Sequence, residues 1–127
     1  MSWGFANFAI GQSTIWLTDV TLKTGIRFQH NDGSCGKYYI LEPMSAGLAL
    51  FDYDQDNDID IYFLNGTHLC EKERAETPAT NNALYRNDGN WKFTDVTDQA
   101  GVGDLRHGLG VTVGDYDNDG DPDLYLN

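Results

Sequence analysis

Short apolar runs alternate with polar loops along this chain of 127 residues. LALF and IYFL flank one acidic loop, and VTV and LYL flank a second acidic loop near the end of the sequence. Runs of three or four apolar, β-branched or aromatic residues between turn residues are typical of β-strands. The pattern therefore predicts the arrangement strand, acidic loop, strand in two places.

The segment between the two loops predicts a hairpin. In ALYRNDGNWKFTDV, two apolar arms flank a turn at Asn87, Asp88 and Gly89. With the strands around the first loop, four strands are predicted at residues 47–51, 59–64, 83–86 and 91–94. The polar residues 65–82 are interpreted as an excursion between the second and third strands. The only helix expected is one short turn within residues 95–102.

Two internal repeats decide the predicted architecture. GLALFDYDQDNDIDIYF (47–63) aligns without gaps with GVTVGDYDNDGDPDLYL (110–126), with eight identical positions. TDVTLKTGI from Thr18 aligns with TDVTDQAGV from Thr94, and the difference in offset indicates an insertion within residues 27–46. Four antiparallel strands repeated about every 60 residues are typical of a β-propeller blade, whereas a β-sandwich does not usually repeat its loops.

The predicted fold class is therefore all-β, with antiparallel four-stranded blades of a partial β-propeller, about two blades in all. We expect an N-terminal extension over residues 1–14 and the partial propeller over residues 15–127. The propeller part would contain the last strand of one blade at 15–20, one full blade at 47–94 and the first two strands of the next. Because propellers close with about four to eight blades, we expect the remaining blades in a longer protein.

Charge is concentrated in the two loops. The formal net charge is −12, and ten of the 20 acidic residues lie in DYDQDNDID and DYDNDGDPD. Removing those ten charges would leave a net charge of only −2. Such acidic loops disfavour binding to nucleic acid or to an anionic membrane surface, and no stretch approaches the ~20 apolar residues of a membrane span. Five carboxylates within nine residues repel one another unless a cation neutralises them.

The spacing of these carboxylates predicts two Ca²⁺ sites. Ca²⁺ takes six to eight oxygen ligands, which side chains at loop positions 1, 3, 5 and 9 and a backbone carbonyl at position 7 would supply. The predicted ligand residues are Asp52, Asp54, Asp56, Asp58 and Asp60 in the first loop and Asp115, Asp117, Asp119, Asp121 and Asp123 in the second.

The sixth position distinguishes the two loops from each other. A positive φ there is free for Gly120 and costs more for Asn57, so the second loop is expected to be the better formed. An EF-hand is disfavoured because position 12 holds Phe63 or Leu126 instead of Glu, and because the flanking segments read as strands.

The cysteines and histidines leave alternatives open. Cys35 and Cys70 would form one disulfide in an exported protein or remain two thiols. His30, His68 and His107 lack metal-ligand spacing to the cysteines and are expected at the surface or in loops. The start of the chain lacks the basic region of a secretory signal, so the protein is cytosolic or its export signal lies outside this chain; we favour export.

An enzyme is not predicted. LALFDYDQ resembles the strand and DxD motif of haloacid-dehalogenase-type phosphotransferases, but the alternation of helices and strands is missing and a duplicated nucleophile makes no catalytic sense. No Ser-His-Asp set, Cys-His pair or glycine-rich phosphate loop appears in the sequence.

FDYDQDNDIDIYFLNG and GDYDNDGDPDLYLN resemble the FG-GAP/VCBS repeats of integrin-α-like propellers. FTDVTDQAGV, preceded by LYRNDGNWK, resembles bacterial proteins similar to cartilage acidic protein, which carry an ASPIC/UnbV domain. The resemblance covers about residues 15–127. It implies an extracellular or periplasmic, Ca²⁺-stabilised, seven-bladed propeller that binds or adheres to an unidentified protein or carbohydrate ligand. The alternative is a propeller scaffold of a larger secreted enzyme with its catalytic residues outside this chain.

Overall fold

Short strands joined by loops dominate residues 16–76 and 80–127, the part of the chain that the computed structural model describes. The elements in chain order are helix α1 (Thr21–Thr24), a 3₁₀ turn (Glu42–Met44), β1 (Leu48–Phe51), β2 (Asp60–Phe63), α2 (Glu71–Glu76), β3 (Ala83–Asn87), β4 (Phe93–Asp95), α3 (Thr97–Ala100), β5 (Val111–Gly114) and β6 (Asp123–Leu126). The N-terminal extension predicted for residues 1–14 lies outside the described residues. No helix in the described ranges has the length and apolar character needed to cross a membrane.

The strands form two antiparallel sheets. β1 to β4 make a four-stranded sheet in which each strand pairs with the next along the chain, and β5 and β6 make a two-stranded sheet. Phe51 pairs with Asp60 at the first loop, and Gly114 pairs with Asp123 at the second. One blade-like sheet followed by two strands of a second confirms the predicted all-β class.

The core lies between the two sheets. Alternation along β1 buries Ala49 and Phe51 and leaves Leu48 and Leu50 exposed on the opposite face. The buried cluster consists of Ala49, Phe51, Tyr62, Leu64, Leu84 and Val96. Val111, Val113, Leu124 and Leu126 of the second sheet pack against it. Packing between sheets of successive units is the arrangement expected when repeats stabilise one another by stacking.

The second repeat, TDVT, also has a structural counterpart. Asp19 Oδ1 accepts a hydrogen bond from the N–H of Thr21 at 2.9 Å, and Asp95 Oδ1 accepts one from Thr97 at 3.0 Å. Each aspartate thereby initiates a four-residue helix, α1 or α3, that ends at a glycine with a left-handed φ of 83° or 69°. The short helical turn predicted within residues 95–102 is confirmed.

The predicted insertion and the excursion after β2 pack against each other. A disulfide joins Cys35 of the insertion to Cys70 of the excursion, with 6.2 Å between the Cα atoms. Beside it, the N–H of Gly66 donates to the carbonyl of Asn31 at 2.7 Å. Of the two alternatives for Cys35 and Cys70, a disulfide or two free thiols, the structure has the disulfide. The excursion also contains the helix α2, which its polar composition does not predict.

Two predicted strand positions require correction. Residues 16–20 form no strand, although a strand was predicted for 15–20, and residue 15 lies outside the described residues. Trp16 and Leu17 are 85% and 93% exposed, and within the described ranges no strand lies beside them to supply hydrogen bonds. Trp91 was predicted in a strand but lies in the hairpin connection with a φ of 61°, because the N–H of Asp88 bonds to the carbonyl of Lys92 and closes a longer turn.

The structure places His68 and His107 in loops, as expected. His68 is only 8% exposed. His107 has definite contacts: its Nδ1 accepts the N–H of Thr67 at 3.3 Å, and its Nε2 lies 3.3 Å from the carbonyl of Leu41. Through these two contacts, His107 helps hold the excursion against the insertion.

Candidate metal centres

Each acidic loop connects two paired strands at one end of its own sheet. Asp52 directly follows β1 and Asp60 is the first residue of β2, so the Phe51–Asp60 pairing closes the first loop. The pairing of Gly114 with Asp123 closes the second loop in the same way. A nine-residue connection between paired strands brings the first and ninth side chains together.

Three carboxylates converge in each loop. One oxygen from each of Asp52, Asp54 and Asp60 lies within 4.8 Å of the other two, and the same holds for Asp115, Asp117 and Asp123. These are positions 1, 3 and 9 of the two loops. Oxygens at 2.3–2.6 Å from one Ca²⁺ are at most about 5 Å apart, so each set has the dimensions of a single cation site.

Four hydrogen bonds shape each loop in the same way. In the first loop, Asp52 accepts the backbone N–H groups of positions 5 and 6 at 3.0 and 2.8 Å, and Asp56 accepts that of position 7 at 2.8 Å. Asp60 accepts the N–H of Tyr53 at 2.7 Å. The second loop repeats these bonds at 3.1, 3.1, 2.9 and 2.7 Å. The sequence repeat is therefore a repeat of loop conformation.

Positions 5 and 7 are placed differently from the converging carboxylates. Asp56 and Asp119 each use one oxygen to accept a backbone N–H, and neither belongs to the converging sets. Their role as ligands, and that of the carbonyls of Asp58 and Asp121, stays a prediction. The three converging carboxylates per loop are the groups whose geometry would suit a single metal ion.

Two positions in each loop have a positive φ. At position 6, φ is 74° for Asn57 and 95° for Gly120, as the turn argument predicts. Position 4 is also left-handed, with φ of 61° for both Gln55 and Asn118, and the sequence reasoning missed it. Asn118 is the residue from which the left-handed φ at position 4 could have been predicted, because Asn tolerates a positive φ better than most residues.

Asp60 is the most buried carboxylate of either site. Its side chain is fully buried, and its second oxygen accepts the N–H of Asn87 on β3 at 2.7 Å. Burial raises the pKa of Asp60, and the negative charges of Asp54 and Asp56 raise it further, whereas the N–H groups of Asn87 and Tyr53 lower that pKa. A buried carboxylate beside other carboxylates fits a site that a divalent cation completes.

Asp123, at the equivalent position of the second loop, is exposed. It accepts the N–H of Tyr116, and within the described residues it has no partner like that on β3. The two loops thus share the same pattern of converging carboxylates and differ in how deeply the carboxylate at the ninth position is buried.

The sheet order and the repeated loops define the class: a repeat protein with blade-like antiparallel sheets and one acidic loop per unit. A family model described as FG-GAP-like repeat matches residues 52–126, which include both loops and all strands from β2 to β6. This match covers more than half of the chain, and the chain belongs to the FG-GAP-like repeat family. No curated protein and no solved structure matches it.

Proposed function

We propose that this chain is a calcium-binding segment of a β-propeller protein and that each acidic loop holds one structural Ca²⁺. The observation that carries the proposal is the convergence of carboxylates 1, 3 and 9 within 4.8 Å in both loops. Hard oxygen ligands on a nine-residue loop suit Ca²⁺, whereas Mg²⁺ demands near-octahedral geometry and dehydrates reluctantly.

A structural role for the ion follows from the contacts that connect the proposed ligand Asp60 to the loop and to β3. Asp60 begins β2, accepts an N–H from the loop at Tyr53 and accepts another from β3 at Asn87. When bound, the ion supplies positive charge that offsets the repulsion among these carboxylates. The ligand set therefore stabilises the junction of two strands and their loop, which is a different task from positioning a substrate.

We further propose an extracellular or periplasmic protein with a binding or adhesion role toward a protein or carbohydrate ligand. The Cys35–Cys70 disulfide supports this location, because disulfides persist mainly in oxidising compartments. Membership of the FG-GAP-like repeat family supports the propeller. The finer relationship to ASPIC/UnbV proteins rests on LYRNDG and FTDVTDQAGV and belongs to this proposal.

Calorimetric titration of the metal-free chain with Ca²⁺ tests the proposal. The parent protein should bind two ions, Asp54→Ala and Asp117→Ala should each bind one, and the double variant should bind none. Asp98→Ala is the matched control, since it removes an exposed carboxylate outside both loops and should retain both ions. Binding by the double variant equal to that of the parent would refute the metal assignment.

A further inference from the structure

The two acidic loops are joined by one side chain. Gln55, at position 4 of the first loop, donates from Nε2 to the carbonyl of Gly120 at 3.1 Å and to Oδ1 of Asp121 at 2.7 Å. Gly120 and Asp121 are positions 6 and 7 of the second loop. We propose that Gln55 couples the two centres, so that Ca²⁺ in one loop raises the affinity of the other. This inference rests on the calcium sites proposed above.

The position of Gln55 depends on the closed form of its own loop. It lies between Asp54 and Asp56 and has a left-handed φ of 61°, which the hydrogen bonds of the closed loop maintain. An ion that holds the first loop closed therefore also holds the Gln55 amide in place. Asn118, the equivalent residue of the second loop, is one methylene shorter, and in the described ranges its side chain makes no hydrogen bond to the first loop.

Gly120 and Asp121, which Gln55 contacts, lie next to the hydrogen bonds that close the second loop. Gly120 provides the turn at φ 95°, and its N–H bonds to Asp115, which is one of the three converging carboxylates. Asp121 has a carboxylate outside the converging set, and the Gln55 amide partly offsets its charge. Holding these two residues in the closed form reduces the ordering that the second ion would otherwise have to impose.

Electrostatics between the sites acts in the opposite direction, because the first bound ion weakens the attraction for the second. Replacing glutamine by another neutral amide leaves this term unchanged, so the comparison isolates the hydrogen bonds. The variant Gln55→Asn keeps the neutral amide and tolerates the left-handed φ, but it loses one methylene of reach. Two exposed hydrogen bonds, one to a carboxylate, correspond to a coupling of about threefold to tenfold in affinity.

The experiment is a double-mutant cycle read by calorimetric Ca²⁺ titration. Gln55→Asn is made in the parent chain and in Asp117→Ala, in which the second loop cannot bind. With both loops intact, the variant should lower the second stepwise binding constant relative to the first by about threefold to tenfold. In the Asp117→Ala background, it should leave the affinity of the first loop within about twofold. A residue with only a local structural role would not change the ratio of stepwise constants.

Two results would overturn the coupling while leaving the calcium sites intact. In one, Gln55→Asn weakens binding equally in both backgrounds, which would mean that Gln55 acts within its own loop. In the other, the parent and the variant show the same ratio of stepwise constants. Absence of any Ca²⁺ binding by the parent would overturn the proposed function and this inference together.

Discussion

Replacing Asp60 by alanine should destabilise the calcium-free protein much more than the same change at Asp123. Asp60 is fully buried and accepts two backbone N–H groups at 2.7 Å, from Tyr53 in the loop and from Asn87 on β3. Asp123 is exposed and accepts one such bond, from Tyr116. The variants Asp60→Ala and Asp123→Ala therefore compare the same loop position, the ninth, in a buried and in an exposed setting.

The magnitude follows from the donors that each change leaves unpaired. A fully buried N–H without a partner costs about 1–3 kcal/mol. The two N–H groups that donate to Asp60 are partly buried, so losing both bonds costs at most roughly 6 kcal/mol. Part of this loss is offset, because Asp60→Ala also removes the desolvation and charge repulsion that raise the pKa of Asp60. We therefore expect a net loss of about 2–4 kcal/mol. For Asp123→Ala, water replaces the lost acceptor and we expect about 0.5–1.5 kcal/mol.

Urea unfolding followed by far-ultraviolet circular dichroism, with a chelator present, measures both losses without the contribution of a bound ion. Asp60→Asn provides an internal check, since it keeps one acceptor oxygen but turns an NH₂ group toward the other N–H. Its free energy of unfolding should lie between those of the parent and of Asp60→Ala. Equal losses for the variants at Asp60 and Asp123 would refute the reasoning from burial and hydrogen bonding.

Three further predictions follow from contacts outside the metal centres. Cys35→Ser together with Cys70→Ser should lower the free energy of unfolding by about 4 kcal/mol, as chain entropy predicts for a sequence separation of 35, and urea unfolding measures it. Tyr62→Phe removes a hydroxyl that donates to a backbone carbonyl at 2.7 Å and should cost about 1–2 kcal/mol in the same assay; an unchanged midpoint would contradict this. The hydrogen bond from Arg106 lowers the pKa of Asp104 in the folded protein below its usual 3.8. The ionised Asp104 carboxylate therefore stabilises the fold above pH 3.8, and this stabilisation is lost as the pH falls through the lowered pKa of the folded state. Asp104→Asn should therefore show a smaller loss of stability than the parent between about pH 5 and pH 3, and parallel pH profiles would contradict the assignment.

The strands and loops were predictable because local signals and repetition agreed. LALF and IYFL are short apolar runs between turn residues, and the second unit repeats this pattern. The pairing of Phe51 with Asp60 then follows from the length of the loop. The convergence of the carboxylates at positions 1, 3 and 9 follows from the same spacing, and their role as ligands stays a prediction. Local rules failed at Trp91, whose aromatic ring favours a strand. The N–H of Asp88 bonds to the carbonyl of Lys92, and the N–H of Lys92 bonds to the carbonyl of Gly89, so Trp91 lies in the connection with a left-handed φ.

The remaining differences depend on contacts between segments distant in sequence. No local pattern predicts that His68 is buried in its loop or which segments Cys35 and Cys70 join. The burial of Asp60 depends on the register that sets Ile61 of β2 opposite Tyr85 of β3. The Gln55 contact depends on how two loops 63 residues apart face each other, and Gln is not a residue that turn chemistry selects.

The third strand also bears on which centre binds Ca²⁺ more tightly. The backbone at position 6 favours the second loop, because Gly120 adopts its positive φ without the cost of about 1 kcal/mol that Asn57 bears. The first loop has a compensating contact, since the N–H of Asn87 on β3 fixes the ligand Asp60, and hydrogen bonds to charged groups contribute about 1.5–3 kcal/mol. The structure shows no looser first loop: its four shaping bonds span 2.7–3.0 Å, and those of the second span 2.7–3.1 Å.

We therefore expect Asp117→Ala, which retains only the first centre, to bind Ca²⁺ at least as tightly as Asp54→Ala, which retains only the second. Calorimetry of the two single-site proteins at equal ionic strength measures this order. Tighter binding by the second centre would mean that the backbone cost at position 6 outweighs the support from β3. Asn57→Gly then separates the two effects, because it removes the backbone cost at the first centre and leaves the bond from Asn87 to Asp60 intact.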